Sequence, residues 1–378
     1  MSINMIETKK KTEKTVLVCY SNRKDKRHYH NYDSLYELKF LAETAGAEVV
    51  KFFFQERDTF DSRYMIGKGK VDEISNYVEE NEIDLLIFEN ELSYTQLRNL
   101  EQKIKCKIID KSNLILDIFA SNAKTSQSKL QVELAQLEYL LPRLTRQWTH
   151  LSKQYGGIGT KGPGETQIET DRRLIKKRIS ILKDKLEKID RQRITQSKRR
   201  SEYKRLSLVG YTNAGKSTLL NLLTNANVYV ENKLFATLDT STKTLFLPPA
   251  DDEESAGNKV LISDTVGFIK NLPHNLIESF KSTLSEVVES DILLNVSDIS
   301  NANFEEQFNV VIDTLKEIGA SEKNIINVFN KADLLENNEI IDSVRKKFEN
   351  AVVISAVKQI NIDALLNEIK KQIYKIKK

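Results

Sequence analysis

The stretch Gly210-Tyr211-Thr212-Asn213-Ala214-Gly215-Lys216-Ser217 decides the fold of this chain. It fits the pattern G-x-x-x-x-G-K-[ST], a loop that cradles phosphate groups. The β-prone run Leu206–Val209 precedes it and the helix-forming run Thr218–Leu223 follows it, which is the context that the motif requires. Backbone N–H groups of the loop can face an anion, Lys216 can reach the β- and γ-phosphates, and the Ser217 hydroxyl can ligate Mg²⁺. The sequence therefore predicts a nucleotide site, and the alternative is a chance match on a strand-to-helix turn.

Three further motifs follow this loop at predicted strand ends. Asp264-Thr265-Val266-Gly267 places Asp264 to hold Mg²⁺ through water and the Gly267 N–H to sense a γ-phosphate. In Asn330-Lys331-Ala332-Asp333, Asp333 can accept hydrogen bonds from the N1–H and amine of guanine, donors that adenine lacks. Ser355-Ala356-Val357 can close over the base. Four motifs in this order predict a GTPase with Mg²⁺ as cofactor.

A mobile switch is predicted between the first two motifs. We call Phe235-Ala236-Thr237-Leu238-Asp239 the switch segment, and within it Thr237 is the candidate second protein ligand of Mg²⁺, beside Ser217. Lys216 and Gly267 are the candidate catalytic groups. Phe268 and Ile269 stand where a Ras-like enzyme has a glutamine that orients water. Because a phenylalanine cannot polarise water, we expect slow intrinsic hydrolysis and a partner that supplies the missing group.

Alternating apolar runs and helical patterns appear at both ends of the chain. Residues 1–15 are polar and are expected to be disordered. Residues 16–111 predict a small parallel α/β domain, and residues 205–378 predict a doubly wound G domain. In the first of these, Gly67-Lys68-Gly69-Lys70 predicts a basic turn, either solvated or in contact with phosphate.

A helical arm is predicted over residues 112–204. Two leucine and isoleucine series repeat at spacings of four and three residues, which predicts an antiparallel helical hairpin. The first series consists of Leu130, Leu134, Leu137, Leu141 and Leu144, and the second of Ile175, Ile179, Leu182, Leu186 and Ile189. We expect Pro142 to bend the first helix or to end it near Leu141.

The connector between the two series and the helix after it indicate binding. Five of the chain's 13 glycines lie in residues 156–164, which favours a binding tip over a flexible linker. From Arg172 to Arg205 there are 15 Lys/Arg and 4 Asp/Glu, a local net charge of +11 in a chain whose total is +4. This asymmetry favours a polyanionic partner, structured RNA in particular, over a solvated face.

The composition favours a reducing, aqueous compartment. Cys19 and Cys106 lie in apolar, strand-like runs and are expected to be buried free thiols. The start of the chain has no apolar signal region, and no transmembrane segment is expected because no run approaches the ~20 apolar residues of a membrane span. We expect a cytoplasmic monomer, with a peripheral membrane-associated pool left open.

Taken together, the motifs resemble the HflX family of ribosome-associated GTPases, in the Obg-HflX branch of the translation-factor-related GTPases. The resemblance rests on the nucleotide motif at 210–217, on Lys129–Leu137, and on the run from Gly156 through Gly162-Pro163-Gly164-Glu165 to Asp171-Arg172-Arg173. It implies an N-terminal α/β domain, a helical hairpin with a glycine-rich tip and a P-loop G domain. Asn122 departs from the basic residue expected at its position, which implies the loss of an RNA contact.

The resemblance also implies a function. It implies binding to the large (50S) ribosomal subunit near the peptidyl-transferase region, and the splitting or rescue of stalled or idle ribosomes. Two alternatives remain open at this point. One is a nucleotide-switched scaffold for RNA or protein in which hydrolysis is incidental, and the other is an ATP-using RNA-remodelling enzyme, against which Asp333 argues.

Overall fold

The computed structural model describes residues 12–24, 31–144, 163–198, 203–224, 234–235, 237–247, 258–270, 281–337 and 339–376. The chain divides into two compact units. One comprises Met1–Ile118 with Gln136–Arg178, and the other comprises Phe119–Ala135 with Ile179–Lys378. The domain boundaries near residues 112 and 204 stay predictions.

The first unit is built on a four-stranded, fully parallel sheet with the strand order β2-β1-β3-β4. All four residues of β3 are buried, as is usual for a strand covered on both faces. The predicted small parallel α/β domain is confirmed, but β1 begins at Lys14, so the disorder expected up to residue 15 is wrong for Lys14 and Thr15. Its elements are β1 (Lys14–Asn22), α1 (Asn31–Thr44), β2 (Glu48–Arg57), α2 (Lys68–Glu80), β3 (Leu85–Phe88), α3 (Tyr94–Glu101) and β4 (Lys107–Asp110).

The predicted basic glycine turn at residues 67–70 is wrong, because helix α2 already begins at Lys68. Gly67 is the N-cap, and its N–H donates to Gln55 Oε1 at 2.7 Å. The Lys70 ammonium lies 2.6 Å from the carboxylate of Glu73, one turn further along the same helix. The sequence misled here because glycine is rare inside helices, whereas Gly67 stands just before the helix and Gly69 lies in its first turn.

Three helices follow the first sheet in the chain: α4 (Lys111–Asn122), α5 (Ser126–Leu144) and α6 (Pro163–Lys198). The two helices expected for the hairpin are therefore present. Of the glycine-rich tip predicted at 156–164, residues 156–162 lie outside the described residues, and Pro163 and Gly164 already belong to helix α6. On α6, Leu182 is fully buried, while Leu174, which is outside the predicted series, is 56% exposed. The series therefore marks the less exposed stripe of the helix.

Helix α5 does not end near Leu141, as its proline suggested. It continues through Pro142 to Leu144. Proline removes a single backbone N–H donor, and this one stands in the last turn of the helix, so few helical bonds depend on it. The expected end near Leu141 is therefore wrong by three residues, and the alternative, a bend at Pro142, stays a prediction.

The second unit is built on a six-stranded sheet with the order β10-β9-β8-β5-β7-β6. All neighbours are parallel except β6, which pairs antiparallel with β7. The sequence did not reveal β6, whereas the other strands match predicted apolar runs. The elements are β5 (Lys204–Gly210), α7 (Lys216–Thr224), β6 (Ser241–Leu247), β7 (Asn258–Asp264), α8 (Lys281–Glu289), β8 (Ile292–Asp298), α9 (Phe304–Glu317), β9 (Asn324–Asn330), α10 (Glu339–Lys347), β10 (Ala351–Val353) and α11 (Ile362–Ile376).

The position of β5 explains where a ligand would bind in this unit. The chain adds strands on one side of β5 with β7 and β6, and then on the other side with β8, β9 and β10. Ligands of open α/β sheets bind at the carboxyl ends of the strands, where the direction of strand addition reverses. A core of fully buried side chains, among them Leu206, Ile262, Leu294 and Val328, holds these central strands together.

The two cysteines are free, but only one is fully buried. Cys19 is buried on β1, whereas Cys106 is half-buried just before β4. Burial, together with a nearby acidic side chain in each case, raises the pKa of Cys19 to about 12 and that of Cys106 to about 11. Burial therefore disfavours the thiolate form of both cysteines, which is the reactive form. None of the described helices combines the length and the apolar character that a bilayer span needs, and the cytoplasmic location stays a prediction.

Candidate functional site

The loop of residues 210–217 lies between the end of β5 and the start of α7. Gly210 has φ +149°, and a Cβ there would lie 2.1 Å from the carbonyl oxygen of Val296 on β8. Gly215 has φ +94°, and its Cβ would lie 2.3 Å from Asn330 Nδ2. Both positions therefore require glycine, and the loop wraps closely against β8 and the end of β9.

Lys216 is buried at the base of this loop. Its Nζ donates to the carbonyl oxygens of Gly210 at 3.2 Å and Tyr211 at 2.8 Å. Burial lowers the pKa of Lys216 to about 8, although the Asp264 carboxylate opposes this shift. A buried cation with two carbonyl acceptors and one nearby carboxylate is poised to accept further negative charge.

Three oxygen-bearing side chains meet beside Lys216. Ser217 Oγ donates to Asp264 Oδ2 at 2.5 Å and lies 2.9 Å from Thr237 Oγ1. Asp264 is fully buried, and its Oδ1 has no hydrogen-bond partner among the described residues. Burial raises the pKa of Asp264, while the Lys216 charge and the hydroxyls of Ser217 and Thr237 act in the opposite direction.

This cluster fits a magnesium ion. Mg²⁺ prefers oxygen ligands and takes only one or two groups from the protein when substrate phosphates supply others. The hydroxyls of Ser217 and Thr237 and the carboxylate of Asp264, whose Oδ1 is buried and unpaired among the described residues, meet that requirement. Within the described ranges no group of three or more His, Cys, Asp or Glu side chains could hold a metal on its own, so an ion here would depend on nucleotide oxygens and water.

The segment after Asp264 is bound to the phosphate loop by its backbone. Phe268 N–H donates to Gly210 O at 3.1 Å, and Thr212 N–H donates to Phe268 O at 2.9 Å. A Cβ on Gly267 would lie 3.0 Å from Lys216 Nζ, so the backbone of Gly267 passes directly by the ammonium group. The candidate catalytic groups Lys216 and Gly267 are thus neighbours.

The two residues in place of the expected glutamine are buried. Phe268 is 5% exposed and Ile269 is 2% exposed. Neither can orient a water molecule, because both side chains are apolar and buried. The sequence-based interpretation that the chain lacks its own water-positioning residue at this place is consistent with their burial.

The base-side motifs meet at the ends of β9 and β10. Asn330 Nδ2 donates to Ala214 O at 3.0 Å, and Ala356 N–H donates to Asn330 Oδ1 at 3.0 Å. Asn330 thus ties the phosphate loop to the Ser355–Val357 loop. Ser355 Oγ donates to Asp333 Oδ1 at 2.6 Å, which orients an exposed carboxylate.

Lys331 and Ala332, which lie between Asn330 and Asp333, hold the base motif in place. Lys331 adopts φ +66°, and its ammonium lies 2.7 Å from Asp298 Oδ2 at the end of β8. Ala332 N–H donates to Ile354 O at 3.1 Å. The motif is thereby held between β8 and β10, with Asp333 at its outer end.

The predicted site motifs follow the carboxyl ends of strands in the second sheet, and one predicted site residue is not described. Ala236 lies outside the described residues, and Val357 is 71% exposed. Sequence reasoning missed two groups that contact the switch segment. Asn122 Nδ2 donates to Phe235 O at 2.8 Å, and Thr125 Oγ1 donates to Asp239 Oδ1 at 2.6 Å.

Comparison with known proteins identifies the family. Family models described as GTP-binding GTPase N-terminal, GTP-binding GTPase Middle Region and 50S ribosome-binding GTPase match residues 32–120, 122–200 and 205–331, respectively. The chain is 47% identical over 91% of its length to the GTPase HflX of Caldanaerobacter subterraneus, and the match covers 78% of that protein. The chain belongs to the HflX family of GTPases. It is also 48% identical over 85% of its length to the GTPase HflX of Flavobacterium psychrophilum, with 76% of that protein covered.

A solved structure agrees with this assignment to the HflX family. A crystal structure described as the SsGBP and GDP complex aligns with a TM-score of 0.50 at 26% identity, covering 96% of this chain and 99% of that chain. As an HflX-family member the chain binds and hydrolyses GTP. The predicted family, P-loop fold and GTPase activity are confirmed.

Proposed function

We propose that the chain uses its GTPase cycle to bind the large (50S) ribosomal subunit through rRNA and to split or rescue stalled or idle ribosomes. The glycine-rich connector at 156–164 and the basic part of helix α6, from Arg172 to Lys198, would make the contact. Lys204 and Arg205, which the sequence grouped with this helix, lie in β5 and pair with Asp291 and Glu289. The observation that carries the proposal is the exposed positive charge of helix α6.

The charge of α6 is unneutralised over one turn and a half. Arg172, Arg173, Lys176 and Lys177 are all exposed, and no acidic side chain among the described residues forms an ion pair with them. An exposed row of this kind binds phosphates by releasing counterions, whatever the base sequence. The family model described as 50S ribosome-binding GTPase, which matches residues 205–331, favours rRNA as the polyanion.

The nucleotide site would supply the switch. We propose that Ser217 and Thr237 hold Mg²⁺ directly and that Asp264 holds it through water, with Oδ1 available for that bond. A bound Mg²⁺ ion would neutralise part of the phosphate charge. Lys216 would hold the β- and γ-phosphates, the Gly267 N–H would meet the γ-phosphate, and Asp333 would accept hydrogen bonds from guanine.

Slow basal hydrolysis fits a ribosome-coupled cycle. With Phe268 and Ile269 buried, nothing at that position orients the attacking water. A group supplied by the ribosome would then accelerate hydrolysis once the protein is bound, as trans-acting groups do for other GTPases.

The test is a variant with Arg172, Arg173, Lys176 and Lys177 changed to alanine. Binding to purified 50S subunits is measured across a salt series with a non-hydrolysable GTP analogue. We expect weaker binding and a flatter dependence of log affinity on log salt, since each lost phosphate contact removes a slope of ~0.7–0.9. Basal hydrolysis without ribosomes should stay unchanged, and ribosome-stimulated hydrolysis should fall.

A matched control removes four exposed positive charges from the G domain instead, namely Lys316, Arg345, Lys346 and Lys347. This variant should keep wild-type affinity and salt slope. If the α6 variant binds as the wild type does, α6 is a solvated face and the scaffold alternative needs another surface. If both variants lose affinity equally, the effect reflects total charge and not this helix.

A further inference from the structure

The switch segment is held on the upstream side of Thr237. The ring of Phe235 meets the ring of Phe119 edge to face, with centroids 4.8 Å apart, and the Phe235 carbonyl accepts the amide of Asn122 at 2.8 Å. Phe235 is 3% exposed and has φ +55°. A bulky residue in this region is strained and persists only when its surroundings fix it.

The segment is held on the downstream side as well. Asp239 Oδ2 accepts the backbone N–H groups of Lys124 at 3.1 Å and Thr125 at 3.2 Å, and Oδ1 accepts the Thr125 hydroxyl at 2.6 Å. Burial raises the pKa of Asp239, but hydrogen bonds from Thr125, Ser128 and the two backbone groups outweigh it and leave the pKa below its usual value. The carboxylate is therefore charged at neutral pH, and it binds the start of helix α5.

Thr125 links this contact to the helix. Its Oγ1 also accepts the Ser128 N–H at 3.1 Å, as an N-cap residue does. The group that begins α5 is thus the same group that holds Asp239. We call residues Phe119–Ser128 the clamp segment.

These contacts restrict the position of Thr237. Phe235 and Asp239 each stand two residues from it, and two residues of extended chain span only about 7 Å. With both neighbours fixed to the clamp segment, the Thr237 hydroxyl has little freedom to leave Ser217, from which it lies 2.9 Å.

We propose that Asn122 and Asp239 are positioning residues for GTP hydrolysis, which hold Thr237 in place through the clamp segment. This inference rests on the proposed role of Thr237 as a magnesium ligand. It assigns to Asn122 a role toward the nucleotide site and not toward RNA. Guanine recognition and the phosphate loop do not depend on these contacts, so binding of GDP should not depend on them either.

The test uses Asn122→Ala and Asp239→Ala, without ribosomes. We expect kcat to fall about tenfold or more, because small displacements of a positioned group have effects of that size, while GDP affinity stays at the wild-type value. A second readout is the magnesium concentration needed for half-maximal binding of a non-hydrolysable GTP analogue, which should rise. Asp239→Asn, which keeps the shape and one acceptor oxygen, should fall between the wild type and Asp239→Ala.

Two comparison variants make the outcomes distinguishable. Asp313→Ala removes a carboxylate that is 70% exposed on α9 and should behave as the wild type. Thr237→Ala should raise the magnesium requirement at least as much as the clamp variants do.

If Thr237→Ala raises the requirement and the clamp variants do not, the clamp is overturned and the metal role stands. If Thr237→Ala changes nothing, the proposed metal role fails and the clamp fails with it. Should Asp239→Ala not fold, Asn122→Ala, which removes one hydrogen bond, decides the question alone. Loss of GDP affinity in a folded clamp variant would also overturn the proposal. The ribosome proposal is untouched by each of these results.

Discussion

The buried Lys216 is expected to make the free energy of unfolding of the ligand-free protein rise with pH. Burial lowers its pKa to about 8 from its usual value of 10.5. Between these values the unfolded chain binds a proton that the folded chain has released, so the free energy of unfolding rises with pH in this window. Below about pH 8 both states are charged, and the folded state bears the full cost of burying the ammonium.

We therefore predict that the stability of the wild type, relative to Lys216→Met, improves as the pH rises from 7.5 to 9.5. The measurement is thermal melting of both ligand-free proteins at several pH values. The variant should bind GTP very weakly at every pH, because the loop has lost its cation. A constant difference in melting temperature over this range would show that Lys216 is not buried as a charge.

Asp333 is predicted to select guanine. In Asp333→Asn one acceptor oxygen is replaced by a donor, so GTP should bind more weakly and xanthosine triphosphate more strongly, since xanthine presents an acceptor where guanine presents its amine. The change should reach about tenfold or more in each direction, because sites built on hydrogen bonds discriminate strongly. Nucleotide titrations give both affinities, and unchanged GTP affinity would remove Asp333 from the site.

The motifs of the candidate nucleotide site could be recognised from sequence because each motif is local. A loop such as 210–217 carries its geometry in consecutive residues. The contacts that Asn122 and Asp239 make could not be predicted, because their partners lie more than 110 positions away in the chain. Sequence alone read Asn122 as a lost RNA contact, whereas the structure gives its amide a carbonyl partner.

At the scale of elements, Gly210 and Gly215 of the phosphate loop are required both by their positive φ and by close neighbours, whereas a glycine in an open turn is required only by its positive φ. Gly215 has φ +94° and a Cβ would meet Asn330 Nδ2 at 2.3 Å, whereas Gly319, after α9, has φ +77° and open space around it. We predict that Gly319→Ala costs only backbone strain of ~1–2 kcal/mol. Gly215→Ala should cost more and should also lower GDP affinity, because Asn330 is displaced from the loop.

Melting curves and GDP titrations of the two alanine variants check this prediction. Gly319→Ala is the matched control, since Gly319 shares the positive φ, but a Cβ at that position has no atom within 4 Å. Equal losses in both variants would mean that strain alone, and not the contact with Asn330, limits the loop.

The sequence predicted the central strands, but it did not predict which strands pair with one another. Strands β5, β8 and β9 are apolar runs because both faces are covered. Strand β6 reads Ser-Thr-Lys-Thr-Leu-Phe-Leu, is partly exposed, and stands at the sheet edge beside β7. Its pairing comes from tertiary contact, which periodicity does not record. The same holds for Pro142, whose effect depends on how many helical bonds follow it.

At the scale of the whole molecule, two α/β sheets and a basic helix of 36 residues share one chain. Composition predicted the positive charge of the helix, and the motifs predicted a nucleotide site at the second sheet. A phosphate contact carries no base information, so the partner of the positive helix has to be identified by experiment. The coupling of nucleotide state to ribosome binding is therefore the central claim to be tested.

Co-sedimentation of the wild-type protein with purified 50S subunits tests that claim most directly. The protein is incubated with a non-hydrolysable GTP analogue, with GDP, or without nucleotide, and the bound fraction is measured at physiological salt. The proposed function predicts strong binding with the analogue and weak binding with GDP. No binding with the analogue, or equal binding in all three states, would contradict it.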